Sequence, residues 1–362
     1  VNKMKRLFVI IPALLLTIIF SACTPEPTLP AGPTPGPELI FLDWAEDMPQ
    51  SVLDQFEAEY GVTVKYLTYD ATEEAAERIK IGDQLDVVVL DNDNIDALIR
   101  AGMLHPIDPT AIPNIKNISP NFRGLAFDPT NTYSVPFNWG TTGIIYHTKR
   151  IDPPIRTWAD LWNPELQGRV GLWLYEGRET IGFTLKSLGY SANSENPAEL
   201  EAARQRLMEL RPNVQFIENM SSGVTGVYLI NEYQLDVAMG YAYDALEGEA
   251  VNPDIQYILP EDGVVLWSDS FVVPASSPNP VGAELFLNFI LRPEIAAEIA
   301  NHNYYATPNE AALSLLDPDL RNNPIVFPPA ESLTNAELLM PISPEAEALY
   351  NEIWAEFVNA AP

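Results

Sequence analysis

Four short segments of the chain combine aromatic rings with carboxylates. In VVLWSDSFVVPA (264–275), Asp269 follows Trp267 and Ser268 inside a run that otherwise reads as buried strand. An unpaired buried carboxylate is costly, so Asp269 requires a positive partner. GYAYD (240–244) supplies Tyr241 and Asp244, and YEGRE (175–179) supplies Glu176 and Glu179. DWAED (43–47) adds Trp44 with Asp43, Glu46 and Asp47. Gathered in a cleft, such groups suit an alkyl ammonium ligand. The carboxylates accept its N–H bonds, and the rings attract its charge and cover its methylenes. Any one segment alone reads as ordinary core and surface; four together, at strand ends, do not.

Other chemistries find little support. His105, His147 and His302 are far apart and lack metal-ligand spacing. Neither a glycine-rich phosphate loop nor a nucleophile elbow occurs. DNDNID (91–96) has the outline of a calcium loop, but Ile95 and Gly102 stand at its fifth and twelfth positions, where ligand oxygens are required. No cofactor or metal is expected. The 362 residues include 50 acidic and 20 basic ones, a formal charge of −30, which excludes nucleic acid as a partner and favours cations.

Length and a 47% hydrophobic content predict two domains with a sizeable core. Lys3, Lys5 and Arg6 precede the apolar run LFVIIPALLLTIIF, which ends in Ser21, Ala22 and Cys23. This resembles a bacterial lipoprotein signal at 1–22, with Cys23 as the lipidated residue; Phe20 stands where that pattern usually has Leu. Cys23 is the chain's only cysteine, so there is no disulfide framework. TPEPTLPAGPTPGP, with six prolines in 14 residues, predicts an extended stalk within 23–37.

Strand and helix signals alternate from residue 38, predicting βαβ units and a parallel sheet. Strands are expected at 38–44, 62–69, 85–90 and 235–244. A helix carrying Val52, Leu53, Phe56 and Tyr60 stops at Gly61. Asp70 with Glu73 predicts a capping box for a helix to about Lys80, and Asn94 a cap for the helix stopped by Gly102. Gly140-Thr141-Thr142-Gly143 reads as a turn. Thr157 with Asp160 caps a further helix, and 197–210, 281–291 and 293–301 are helical. A last helix starts at Ser343-Pro344 with Ala346, Leu349, Tyr350, Ile353 and Phe357 as its apolar stripe. Ligands of such folds bind beyond the carboxyl ends of the strands.

LDVVV, AGMLHPID, PFNWGTTGIIY, LRPNVQF, WSDSFVVPA, NFILRPEIA, YYATPNEAA and FPPAE follow one another along the chain. On these motifs, from about residue 38 to the C-terminal helix, the chain resembles the substrate-binding proteins of polyamine (spermidine and putrescine) ABC transporters. The resemblance implies a two-lobed α/β fold of the type II periplasmic-binding-protein class, with ligand between the lobes. Lobe 1 would comprise 38–142 plus 268–313, and lobe 2 143–267 plus 314–362, with hinge strands near Gly140–Gly143 and Ser268–Val273. It implies amine-clasping acids at Glu176, Glu179, Asp244 and Asp269, and an aromatic box of Trp44, Tyr241, Trp267 and Tyr305. Asp47, Asp91 and Asp93 occupy further ligand-facing positions, where the family usually carries an aromatic or small hydroxyls. Ser222 would supply a hydroxyl contact, and Leu339 replaces a polar amide. A monomer is implied, membrane-anchored and delivering its ligand to an ABC permease with its ATPase, without catalysis. Two other readings remain at this point: a ferric-ion receptor using Tyr304-Tyr305, and a secreted hydrolase using Glu176 and Glu179.

Overall fold

The computed structural model describes residues 34–218, 225–232 and 234–361. The expected signal, Cys23, most of the proline-rich stalk and Ser222 lie outside them. The body opens with β1 (Glu38–Trp44), α1 (Gln50–Tyr60), β2 (Thr63–Tyr69), α2 (Thr72–Lys80), β3 (Val87–Asp91) and α3 (Asn92–Arg100). The long β4 (Ser134–His147) leads to β5 (Val170–Trp173), α4 (Gly177–Ser187), α5 (Pro197–Leu210), β6 (Val214–Ile217), α6 (Thr225–Asn231), β7 (Val237–Gly240), α7 (Ala242–Val251) and β8 (Ile255–Ile258). The chain then returns through β9 (Val265–Val272), α8 (Pro280–Ile290), α9 (Pro293–Asn303), α10 (Pro318–Arg321), β10 (Glu337–Leu338) and α11 (Pro344–Asn359).

The described strands run in the order β2-β1-β3-β9-β4-β7-β5-β6, with β10 on β9 and β8 on β4. β1 is parallel to β2 and β3, and β5 to β6 and β7, as βαβ connections require. β4 and β9 are antiparallel and join the two halves. Ser134–Thr142 of β4 pairs with β9, and Gly143–His147 pairs with β7 and β8. The same two strands feed both cores. Val135, Phe137 and Phe271 pack with β1, α1 and α8, whereas Ile144, Ile145 and Val265 pack with β5, α4, α5 and α11.

Local sequence explains most elements. Gly61 ends α1 in the left-handed region at φ 67°, its N–H bonding Glu57. Pro lies in the first turn of α5, α8, α9 and α11, where no N–H is needed. Ser343 caps α11, and Ala346, Tyr350, Ile353 and Phe357 are buried on its inner face. The capping box of Thr157 and Asp160 forms on a short 3₁₀ turn, Trp158–Trp162.

Four local expectations are corrected. Gly140–Gly143 is not a turn: β4 runs through it, and the glycines serve close approach. A Cβ on Gly140 would lie 2.4 Å from Trp267 Cζ2, and one on Gly143 2.5 Å from Tyr257 Cζ. Asp70 does not cap α2, whose N-cap is Ala71 with no side-chain bond. Asp91, not Asn94, caps α3, because β3 continues to Asp91 in register with Asp269. The strand expected at 235–244 ends at Gly240, and α7 begins at Ala242 with Asp244 accepting the Tyr241 backbone N–H at 3.0 Å.

Candidate binding site

Strand ends and helix starts from both halves converge on one cleft of about 780 Å³. The β1 end brings Trp44 and Asp47, the β3–α3 junction Asp91 and Asp93, and the start of α4 Glu176 and Glu179. The β7–α7 junction brings Tyr241 and Asp244, β9 brings Trp267 and Asp269, and the residues after α9 bring Tyr305. All eleven described candidates line this cleft; Leu339 lies among them.

Five acids in or just behind the cleft are buried without a cation among the described residues. Asp43 is 0% exposed, Asp244 2%, Glu179 5%, Asp47 7% and Asp269 9%. Among the described residues, none of these five, nor Glu176, forms an ion pair with a lysine or arginine. Glu179 Oε2 accepts from Thr142 Oγ1 at 2.8 Å and from the Tyr241 hydroxyl at 3.3 Å. Asp47 Oδ2 accepts from Asn138 Nδ2 at 3.3 Å. Asp269 stands directly across from Asp91 on β3, a like-charge cross-strand pair, and across from Asn138 on β4.

Burial is the main cause of the titration behaviour. It pushes Asp47, Glu179 and Asp244 up to about 7. It holds Asp43, Glu176 and Asp269 well above the usual carboxylate range, with the charges of neighbouring acids adding to the effect. For Asp269 those neighbours are Asp91, Asp47 and Glu179, while a hydrogen bond from the Trp44 side chain works the other way. Helix N-termini beside Glu179 and Asp244 favour negative charge, but by only about 0.3–1 kcal/mol each. Desolvation of an ion costs roughly several kcal/mol, so the helix ends do not offset it.

The aromatic walls are set at right angles. Trp267 meets Tyr305 at 5.1 Å and 87°, and Tyr241 at 6.0 Å and 88°. Trp44 packs on Tyr69 at 4.7 Å. The Trp267 indole N–H is buried with no hydrogen-bond partner. Glu46, between Trp44 and Asp47, adopts a left-handed φ of 68°, a conformation costly for this residue type and typical of binding loops. The Tyr66 hydroxyl pins that loop by donating to the Trp44 carbonyl at 2.7 Å.

Two acids differ from the rest. Asp91 spends its oxygens on the α3 cap and on Thr72 and Asn94. Asp93 lies 3.5 Å from Arg178 Nε. Arg178 also donates to the carbonyls of Ala192 and Met340 and to Asn193 Oδ1, and covers the Tyr350 ring. Sequence reasoning missed Arg178, although it stands between Glu176 and Glu179, and it missed Tyr69 and Asn138, which carry no local signal of a site. Tyr304 and Tyr305 do not converge: Tyr304 is exposed at the left-handed end of α9, and Tyr305 faces Trp267.

Residues 51–328 match the profile of the bacterial extracellular solute-binding proteins. The chain belongs to that family. Within it, the chain is 34% identical over 319 residues to the spermidine/putrescine-binding periplasmic protein of Salmonella typhimurium, covering 87% of this chain and 90% of that one. A Listeria monocytogenes structure assigned to a spermidine/putrescine ABC transporter superposes with a TM-score of 0.81 at 35% identity, covering 90% of this chain and 99% of that one. The Tp0655 lipoprotein of Treponema pallidum gives 0.77 at 27% identity, covering 88% and 99%. The type II periplasmic-binding-protein architecture expected from the sequence is thus the fold of this solute-binding protein. No helix among its described residues is long and apolar enough to cross a membrane.

Proposed function

We propose that this protein is an extracytoplasmic receptor that binds a linear polyamine, putrescine or spermidine, and delivers it to an ABC importer without chemical change. The observation that carries this is the set of acids, buried Glu179, Asp244 and Asp269 with half-buried Glu176, that have aromatic neighbours and no ion pair among the described residues. Ligand ammonium groups supply the missing positive charge, and Trp44, Tyr241, Trp267 and Tyr305 enclose the methylenes. The spermidine- and putrescine-binding relatives support the choice of ligand. Lobe closure about β4 and β9 would bring Glu179 and Tyr241 over an amine held by Asp269, as the division at 142/143 and 267/268 requires.

The N-terminal pattern supports a signal at 1–22 and a mature monomer held to the membrane by an acylated Cys23, with the proline-rich stalk as spacer. The Treponema pallidum relative is a lipoprotein, which favours the same reading here. The ferric-ion reading is disfavoured by the separation of Tyr304 from Tyr305, and by the lack, among the described residues, of three acidic or histidine groups placed to hold a metal. A hydrolase reading is disfavoured because Glu179 is tied to Thr142 and Tyr241, and because the relatives are solute-binding proteins. Native mass spectrometry of the protein as purified tests the proposal. A bound mass equal to a di- or triamine, exchangeable for added spermidine, is expected; retention of a sugar, or no response to amines, would refute it.

A further inference from the structure

We propose that Thr142 is a positioning residue for amine capture: from the point where β4 passes between the two halves, its hydroxyl holds one oxygen of Glu179 and leaves the other for a ligand ammonium. This rests on the polyamine reading above and adds a residue that acts through Glu179 rather than on the amine itself.

Thr142 stands at a junction. It is the last residue of β4 paired with β9, opposite Val265, and Gly143 is the first paired with β7, opposite Gly240. Tyr257 on β8 fixes the backbone on both sides of it. The Tyr257 hydroxyl donates to the Thr141 carbonyl at 2.9 Å and lies 2.8 Å from Thr141 Oγ1, and its ring fills the space where a side chain on Gly143 would be. Thr142 is fully buried, behind the residues that line the cleft. From this frame Thr142 Oγ1 donates to Glu179 Oε2 at 2.8 Å, and the Tyr241 hydroxyl reaches the same oxygen at 3.3 Å. Glu179 Oε1 receives no hydrogen bond among the described residues. Both protein donors therefore fall on one oxygen and leave the lone pairs of the other for the ligand.

Hydrogen bonds to an ionised group are strong, and a dry site strengthens them. Burial pushes Glu179 up to about 7 even with both hydroxyls in place. The charged groups around it are Glu176 and Arg178 at the start of α4, Asp91 at the end of β3 and Asp269 on β9; Tyr241 and Tyr257 are the titratable hydroxyls that face it. Asp244 acts on those two tyrosines. Arg178 is the one cation in this set, and it is engaged by Asp93 and by the Ala192 and Met340 carbonyls. The surrounding acids oppose the ionisation of Glu179, and the Thr142 hydroxyl makes the shorter of the two bonds that favour it.

The test is calorimetric titration of the full-length protein in detergent, dialysed free of bound amine, with spermidine from pH 6 to pH 8.5. Each variant is compared with the parent at the same pH, so the amine's own titration cancels. Thr142→Val removes the donor and keeps the shape. It should bind spermidine about tenfold more weakly than the parent at pH 6 and within about twofold of it at pH 8.5, because Glu179 then titrates about one unit higher. It should also release more protons per amine bound at pH 7. Its near-parental affinity at pH 8.5 shows that it is folded. Thr142→Ala, which only removes atoms, should give the same profile, and Thr142→Ser, which keeps the hydroxyl, should follow the parent. In a Glu179→Gln background, Thr142→Val should leave the pH profile unchanged. A loss that is equal at every pH, a loss shared by Thr142→Ser, or no loss at all would overturn the positioning role alone. Parent protein that binds no amine at any of these pH values would overturn the polyamine reading as well.

Discussion

Gly140 and Trp267 stand directly opposite each other on β4 and β9, and the indole lies where a side chain at residue 140 would be. The aromatic wall of the cleft is thus seated on a bare patch of its own sheet. Gly140→Ala puts a methyl 2.4 Å from Trp267 Cζ2, so the ring must shift. The expected stability loss is about 1–3 kcal/mol, as for other overpacked sites. Spermidine affinity should fall by about tenfold, since a cation–π contact at a desolvated site contributes on the order of 1–2 kcal/mol. Titration by intrinsic tryptophan fluorescence checks this, and unchanged affinity would show that the Trp267 ring does not touch the amine.

The buried acids make both stability and binding depend on pH. Asp47, Glu179 and Asp244 titrate near 7 in the ligand-free fold and near 4 when unfolded. Between those values the folded protein holds more protons than the unfolded chain, so its stability falls as pH rises from about 4 to about 7. The ligand-free melting temperature should be higher at pH 5 than at pH 8. Amine binding needs the ionised acids and should release protons near neutrality. Its affinity should rise with pH through about 7. Titrations in buffers of different ionisation enthalpy count the protons released, and a count of zero at pH 7 would contradict this account.

Asp93 has a cationic partner in Arg178, at 3.5 Å, whereas Asp269 forms no ion pair among the described residues. The pair is partly exposed and contributes little, within about 1 kcal/mol. Asp93→Asn is therefore expected to change spermidine affinity by less than about tenfold. A loss as large as that of Asp269→Asn would make Asp93 a direct amine contact.

How much of this was legible in the sequence depends on range. The pairing of aromatic and acid in WSD, YAYD, YEGRE and DWAED marked the cleft residues: the last three sit where a strand ends or a helix starts, and WSD lies inside β9. The order of strands did not follow from local pattern, since β4 and β9 serve both halves. GTTG looked like a turn because the reason for its glycines, Trp267 and Tyr257, lies more than 100 residues away. In DNDN any of the polar residues could cap α3; the pairing of β3 with β9 selects Asp91. The break between β7 and α7 was readable from Asp244 at the third helical position, a signal masked by the apolar run before it. Asn138 and Tyr69 needed the fold, because nothing beside them in sequence marks a site.

At the other end of the chain, Cys23→Ala tests the proposed anchor. Cells expressing it should release the protein from the membrane fraction or accumulate the unprocessed precursor. Detergent-phase partitioning identical to that of the parent would exclude acylation at Cys23.

The central claim is that the positive partner of Asp269 is the ligand. Calorimetric titration of Asp269→Asn with spermidine, alongside its ligand-free melting curve at pH 8, tests it most directly. Losing one member of a buried charge pair typically costs about 2–5 kcal/mol, so affinity should fall about 30- to several-thousand-fold. Because no described lysine or arginine pairs with Asp269 in the ligand-free protein, the variant should melt at or above the parent's temperature. A variant that keeps its spermidine affinity, or whose ligand-free form unfolds, would make Asp269 a structural residue and contradict the account.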